Sequence, residues 1–275
     1  TRVRSSAASD VYKRQVIGDM AKRPRYQGAG SSTINPYRLT NLLDCLKEQG
    51  IECSYAQGYE RVESENDVTL REEAIKVAKN SELVILCVGL TENFESEGMD
   101  RFTLDIPANQ NKLIEEICKV NKKVVIVLSN GSPILMSWKD DVQAIITGYL
   151  GGEAGAEAMV NCLTGKVNPS GKLAETYPLS LEDTPCYNYY PGTEVSVEYK
   201  ESIYVGYRYY DKISKNVLFP FGYGLSYTTF EYSNLNVEED EEDIIVRLKI
   251  KNTGKVAGKE IAQVYICLLY TSPSP

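Results

Sequence analysis

The sequence predicts a doubly wound, mainly parallel α/β sandwich followed by the truncated start of a β module. Three observations carry this reading. Between residues 16 and 178, short apolar runs alternate with amphipathic stretches, the pattern of strands joined by crossover helices. After residue 180 the texture shifts to Tyr, Pro and Gly without helical periodicity. From about residue 228 the pattern returns to strand.

The elements follow in order. "VIG" at 16–18 is a short apolar strand ending at a glycine. "YRLTNLLDCLKEQG" places Leu39, Leu42, Leu43 and Leu46 on one helical face, with Gly50 as its stop. "IECSYAQGY" is the next strand, "LREEAIKVAKN" an amphipathic helix, and "LVILCV" a strand buried on both faces. "NQNKLIEEICKVNK" is a helix, "KVVIVLS" and "VQAIITGY" are strands, and "EAGAEAMVNCLTGK" is a helix closed near Gly165. Residues 16–190 therefore form the α/β domain, and 191–227 an extended connector held by aromatic packing. In 228–266 three strands are expected ("TTFEYSNLNV", "DIIVRLKIKNTG" and "EIAQVYI"), with the acidic run 238–243 capping a hairpin. Three strands are too few for a sandwich of about seven. The ends, 1–15 and 267–275, read as non-native tails, because they put charge where the first strand should begin and break the final strand alternation.

Composition narrows the function. The chain carries a net charge of -8 and no broad basic patch, which argues against nucleic acid as the main partner. No apolar run approaches the ~20 residues a membrane-spanning helix needs, so no membrane partner is expected, and no secretion signal opens the chain. Seven scattered cysteines form no C-x-x-C pair; they read as reduced, buried thiols, which favours the cytoplasm. There are no histidines, which removes Ser-His-Asp and Cys-His catalysis and most zinc sites. Nothing supports a metal or cofactor. Catalysis, if present, rests on carboxylates, Lys, Tyr or Cys.

Two loops leave the carboxyl ends of strands, where open α/β sheets bind ligands. The first is "GDMAKRPRYQGAGSSTINP" at 18–36, the second "ENFESEGMDRFTLDIP" at 92–107. If their strands are neighbours, both face one crevice. Nucleotide readings fail on spacing. The glycines of "GAGSS" come ten residues late for a dinucleotide fingerprint, and "GKVNPSGKL" has one residue too many for a phosphate loop. The acidic loop is either a solvated surface or a place where a carboxylate does chemistry. Gly98 allows a tight bend exposing one carboxylate, and Asp100 and Arg101 can pair with neighbours to fix the loop. Glu95 and Glu97 are close enough in sequence for repulsion to raise one pKa, which a general acid requires.

In order, "GDMAKRPRYQGAGSSTINP", "ESEGMDRFTLDIPANQNKLI", "VVIVLSNGSPILMSW", "GYLGGEAGAEAMVNCLTGKVNPSGKLAETYP", "IYVGYRYYD" and "FPFGYGLSYTTFEYSNL" resemble the carboxyl-terminal half of a family 3 glycoside hydrolase, the β-glucosidase and β-xylosidase group. The resemblance implies three modules: a (β/α)8-like barrel, an α/β sandwich and a fibronectin type III-like β-sandwich. This chain would hold the second and the start of the third. It also implies a β-linked oligosaccharide or an aryl or alkyl β-glycoside as substrate, and a nucleophilic aspartate on a barrel present in cis. The acid/base glutamate then comes from the sandwich. The Glu of E-G-x-D-R matches Glu97, with Glu95 a close rival in E-S-E, and the sugar-contacting serine of "GAGSS" matches Ser31. Gly18, Gly28, Gly30 and Gly98 read as backbone-shaping residues. Without a barrel the chain alone is expected to be inactive. A non-catalytic carbohydrate-binding module is the other reading, and the family's bacterial members are also exported.

Overall fold

The computed structural model describes residues 14–241 and 243–265. These fall into two compact units, one boundary lying inside the stretch read as connector and two more, around 168–175, inside the span read as the α/β domain. One comprises the chain before Asn168 together with Thr176–Phe219; the other comprises Asn168–Glu175 and the chain from Pro220.

The first unit is built on five parallel strands: β1 (Arg14–Ile17), β2 (Ser54–Ala56), β3 (Leu83–Gly89), β4 (Val124–Ser129) and β5 (Ala144–Thr147). Their order is β2-β1-β3-β4-β5. Val16 lies beside Tyr55 on one side and Ile85 on the other; Leu86 lies beside Ile126, and Ile126 beside Ile145. The central strand β3 is buried on both faces from Val84 onward, as its unbroken apolar run requires. Helices α1 (Leu42–Glu48) and α4 (Gly155–Leu163) pack together on one face, and α2 (Asp67–Lys79) and α3 (Ala108–Val120) on the other. Strand alternation sends Val16, Ile85, Cys87, Val125 and Val127 to the α1/α4 side, where Leu42, Leu46 and Val160 meet them. The doubly wound parallel reading therefore holds.

Several local expectations are corrected. Helix α1 starts at Leu42, so Leu39 lies outside it and is 39% exposed. The reason is competition for the backbone: Tyr37 N donates to Glu153 Oε1 at 2.6 Å and Thr40 N to the Glu153 carbonyl at 3.2 Å. Asn41 then caps the helix by accepting from Asp44 N at 2.9 Å. Strand β1 begins at Arg14, inside the span read as a foreign tail, and Gln15 is fully buried, with its amide oxygen accepting from the Ser54 hydroxyl. The remaining tail residues, 1–13 and 267–275, lie outside the described residues. The Tyr-rich stretch contains a short helix, α5 (Tyr207–Lys212), too brief for its periodicity to register. Of the cysteines, Cys186 is exposed and Cys53 and Cys162 are half-buried, while Cys45, Cys87 and Cys118 are buried; burial pushes Cys87 up to about 12.

The second unit centres on an antiparallel hairpin of β6 (Phe230–Asp240) and β7 (Asp243–Asn252). The acidic run falls at its turn, as expected. It fits the start of a fibronectin type III-like module. The third expected strand does not form among the described residues: 260–265 pair with neither strand. Most of the hairpin is exposed, and an isolated two-stranded hairpin is only marginally stable, which makes it a weak template for a third strand. Within this unit Asn168 organises the "NPSGKL" segment. Its Nδ2 donates to the Ala257 carbonyl at 3.0 Å, and its Oδ1 accepts from Ser226 Oγ at 3.0 Å and Tyr227 N at 2.8 Å. That stretch is scaffolding.

Because Leu86 is fully buried in the central strand, Leu86→Ala should lower stability by about 3 kcal/mol. Urea denaturation should show a lower midpoint with an unchanged slope.

Candidate active site

The order of strands decides where the loops meet. After β1 the chain winds to β2 on one side, and after β3 it winds to β4 on the other. Since β1 and β3 are neighbours, the two loops singled out by sequence emerge side by side at the switch point of the sheet, where such folds open a crevice.

The first contact below the crevice is an ion network. Asp19, almost fully buried in the single 3-10 turn after β1, pairs with Arg23 and with Arg61 Nε at 2.7 Å. Arg61 comes from the loop after β2 and also reaches Glu92 at 2.8 Å. Through Arg61, which bonds both Asp19 and Glu92, the network ties three loops together.

Above it, Arg25 crosses from the first loop to the acidic loop. Its guanidinium donates to the Leu90 carbonyl at 3.1 Å, the Glu95 carbonyl at 2.9 Å and Glu95 Oε2 at 2.6 Å. The side chains of this pair are 1% and 18% exposed. Glu95 Oε2 also accepts from Gly131 N at 2.8 Å, and Oε1 accepts from Ser132 Oγ. Burial pushes the Glu95 carboxyl up, but the Ser132, Arg25 and Gly131 donors outweigh it and hold the group below its ordinary value.

Glu97 is placed differently. It is exposed, at the start of the Gly98 bend, whose φ of +75° suits glycine. Its amide donates to the Ala29 carbonyl at 3.2 Å, and its Oε2 accepts from Ser31 N at 2.6 Å. The two loops touch here: a Cβ added to Gly30 would stand 2.6 Å from Glu97 Cβ. The Ser31 hydroxyl and amide hold the Glu97 carboxyl below its ordinary value. Asp100 accepts from the Tyr190 hydroxyl, and Arg101 Nη1 donates to Ser132 Oγ at 2.7 Å and the Pro133 carbonyl at 3.1 Å.

Glu97 and Ser31, chosen from sequence, are therefore in direct contact, and Glu95 lies one layer beneath. The expectation that repulsion between the two glutamates raises one pKa is corrected. Arg25 neutralises Glu95, and both carboxyls are shifted down. Sequence reasoning missed Arg25, Ser132 and the Gly131 amide. Arg25 was hidden among the neighbouring basic residues of "KRPR". Ser132 follows β4, so the rule of searching the carboxyl ends of strands could have found it. Among the described residues no cluster of metal-ligating side chains occurs.

Residues 10–227 match the glycosyl hydrolase family 3 C-terminal domain. The thermostable beta-glucosidase B of Acetivibrio thermocellus is 48% identical over 259 residues, covering 91% of this chain and 34% of that protein. The exo-alpha-(1->6)-L-arabinopyranosidase of Bifidobacterium breve is 44% identical, covering 91% of this chain and 33% of its own length. The crystal structure of a Bifidobacterium adolescentis GH3 beta-glucosidase superposes with a TM-score of 0.85 at 43% identity, covering 90% of this chain and 36% of that one. The chain spans about a third of the length of these relatives. With a five-stranded parallel sheet of the same fold and a match over most of its residues, the chain belongs to glycosyl hydrolase family 3, as that family's C-terminal domain.

Proposed function

We propose that this chain supplies the acid/base glutamate, Glu97, of a retaining β-glycosidase whose nucleophilic carboxylate lies in a domain outside it. The observation that carries the reading is the contrast between the two glutamates of E-S-E. Glu95 spends both oxygens on Arg25, Gly131 and Ser132. Glu97 stands exposed at the crevice, held by the Ser31 amide and hydroxyl and paired with no arginine among the described contacts. A group that must give and take a proton needs that access.

In the first half-reaction Glu97 protonates the departing glycosidic oxygen while the nucleophile forms the glycosyl-enzyme. In the second it removes a proton from the attacking water. The two roles demand opposite charge states. In this chain the hydrogen bonds from Ser31 favour the charged one, the form the water step uses. The acid form has to come from desolvation when a second lobe and a sugar close over the loop, since burial raises a carboxyl pKa. The rim is built for such a cover: Tyr37 is 100% exposed and Phe102 85%, with Ile34 and Met99 also exposed nearby in sequence. Ser31, whose amide now faces Glu97, is the group a substrate hydroxyl would meet first. β-Glucosides are the substrates to try first, and an arabinopyranoside belongs in the same screen because a similar relative carries that name.

The isolated chain should release no nitrophenol from an aryl β-glucoside, and measurable turnover would overturn this division of labour. Sugar binding by the isolated chain in calorimetry would favour the non-catalytic reading. In the longer enzyme carrying this segment, Glu97→Gln should cut kcat on poor leaving groups by about 10²–10⁴-fold. Azide should partly restore turnover of activated substrates. If Glu95→Gln gave that rescue instead, the assignment would move by two positions.

The pH dependence has a definite sign. The leaving group needs protonated Glu97, so kcat/KM for a poor leaving group should fall as pH rises through the carboxyl's pKa. Glu97→Gln should erase that alkaline limb. In this chain alone, ¹³C NMR should find the same carboxyl titrating below the ordinary glutamate value.

A further inference from the structure

We propose that Glu95 is a positioning residue, held by Arg25 and Ser132, and that this cluster sets where Glu97 stands; the inference rests on the acid/base reading of Glu97. The loop from Thr91 to Pro107 contains no helix or strand. Its internal backbone bonds are few: Phe94 N and Glu95 N both to the Thr91 carbonyl, and Met99 N to the Ser96 carbonyl. An irregular segment of this kind keeps a single conformation only if side chains pin it.

The pins lie on either side of the bend that carries Glu97. On the amino-terminal side, Glu95 is fixed through its carbonyl by Arg25 and through its carboxylate by Arg25, Gly131 and Ser132. On the carboxyl-terminal side, Arg101 is bonded to Ser132 and Pro133. The Ser132 hydroxyl therefore touches both feet at once, donating to Glu95 Oε1 and accepting from Arg101 Nη1. Ser132 is itself seated by Asn130, a fully buried side chain. Asn130 Nδ2 donates to the Ser132 carbonyl and to Tyr177 Oη, both at 2.8 Å, and its Oδ1 accepts from Thr147 Oγ1 at 3.1 Å. Rigidity thus passes from strands β4 and β5 to the bend. The tip then registers against the first loop through the Glu97–Ala29 and Ser31–Glu97 bonds. Adjacent acidic residues have opposite duties: Glu95 must stay charged and still, while Glu97 must change charge.

The test uses the Ser31 amide, which donates to Glu97 Oε2, as a reporter in ¹H–¹⁵N spectra of this chain across a pH series. In the wild type the Ser31 amide shift should follow the titration of Glu97, and Glu97→Gln should abolish that step. Ser132→Ala and Glu95→Gln should shrink the step to less than half while the amides of Leu86 and Val88 keep their shifts. Arg25→Lys should retain more of it than Arg25→Met. An undiminished step in both Ser132→Ala and Glu95→Gln would overturn the proposal, as would loss of the step together with the β3 signals. Because no substrate is present, these spectra do not depend on whether Glu97 is the acid/base group. That question is answered separately by the turnover of Glu97→Gln.

Discussion

The pairing of β1 with β3 is the constraint on which the site depends. A parallel sheet of order β2-β1-β3-β4-β5 forces the chain to wind in opposite senses from two adjacent strands. The loops after those strands must therefore share one edge of the sheet without a helix between them. The first loop contributes Arg25 and Ser31, and the second contributes Glu95 and Glu97. Nothing in their separation along the chain brings them together; the register of Val16 beside Ile85 does.

Once the loops share an edge, the distribution of charge follows from solvation. Three carboxylates of these loops are matched by guanidinium groups: Asp19 by Arg23 and Arg61, Glu92 by Arg61, Glu95 by Arg25. A buried carboxylate without such a partner would be costly. Moving outward, the pairing stops. Glu97 has a backbone amide and a serine for company and no arginine. The acidic loop that a composition count would assign to solvated surface is thus layered, with an arginine-paired carboxylate at Glu95 inside and an arginine-free one at Glu97 outside.

Sequence reasoning reached the fold well because the signals there are long. The unbroken run of β3 and the amphipathic periods of α2 and α3 are strong enough to survive any local error. It failed where a few specific bonds outweigh periodicity, as at Leu39, where contacts with Glu153 delay the start of α1. It failed likewise for the third strand of the second unit, where pairing depends on neighbours rather than on pattern. For the site, the contact of Ser31 with Glu97 was reachable only through motif resemblance, because spacing along the chain cannot report two loops meeting in space. The downward pKa shifts were not legible at all. Two glutamates two residues apart suggest repulsion, and only the structure reveals that Arg25, seventy residues away in sequence, has neutralised one of them.

The same charge state bears on why such a chemistry would be divided between lobes. A carboxyl kept permanently in a dry pocket would be protonated and ready as an acid, but slow to serve as a base. A carboxyl kept permanently in water beside hydrogen-bond donors has the reverse fault. On the proposed acid/base role, an exposed Glu97 whose anion is stabilised by Ser31 would let desolvation be applied only with substrate in place. That arrangement works only if the bend does not move when the cover closes. On the proposed positioning role of Glu95, a loop without regular structure would meet this requirement by burying one carboxylate so that its neighbour can remain exposed.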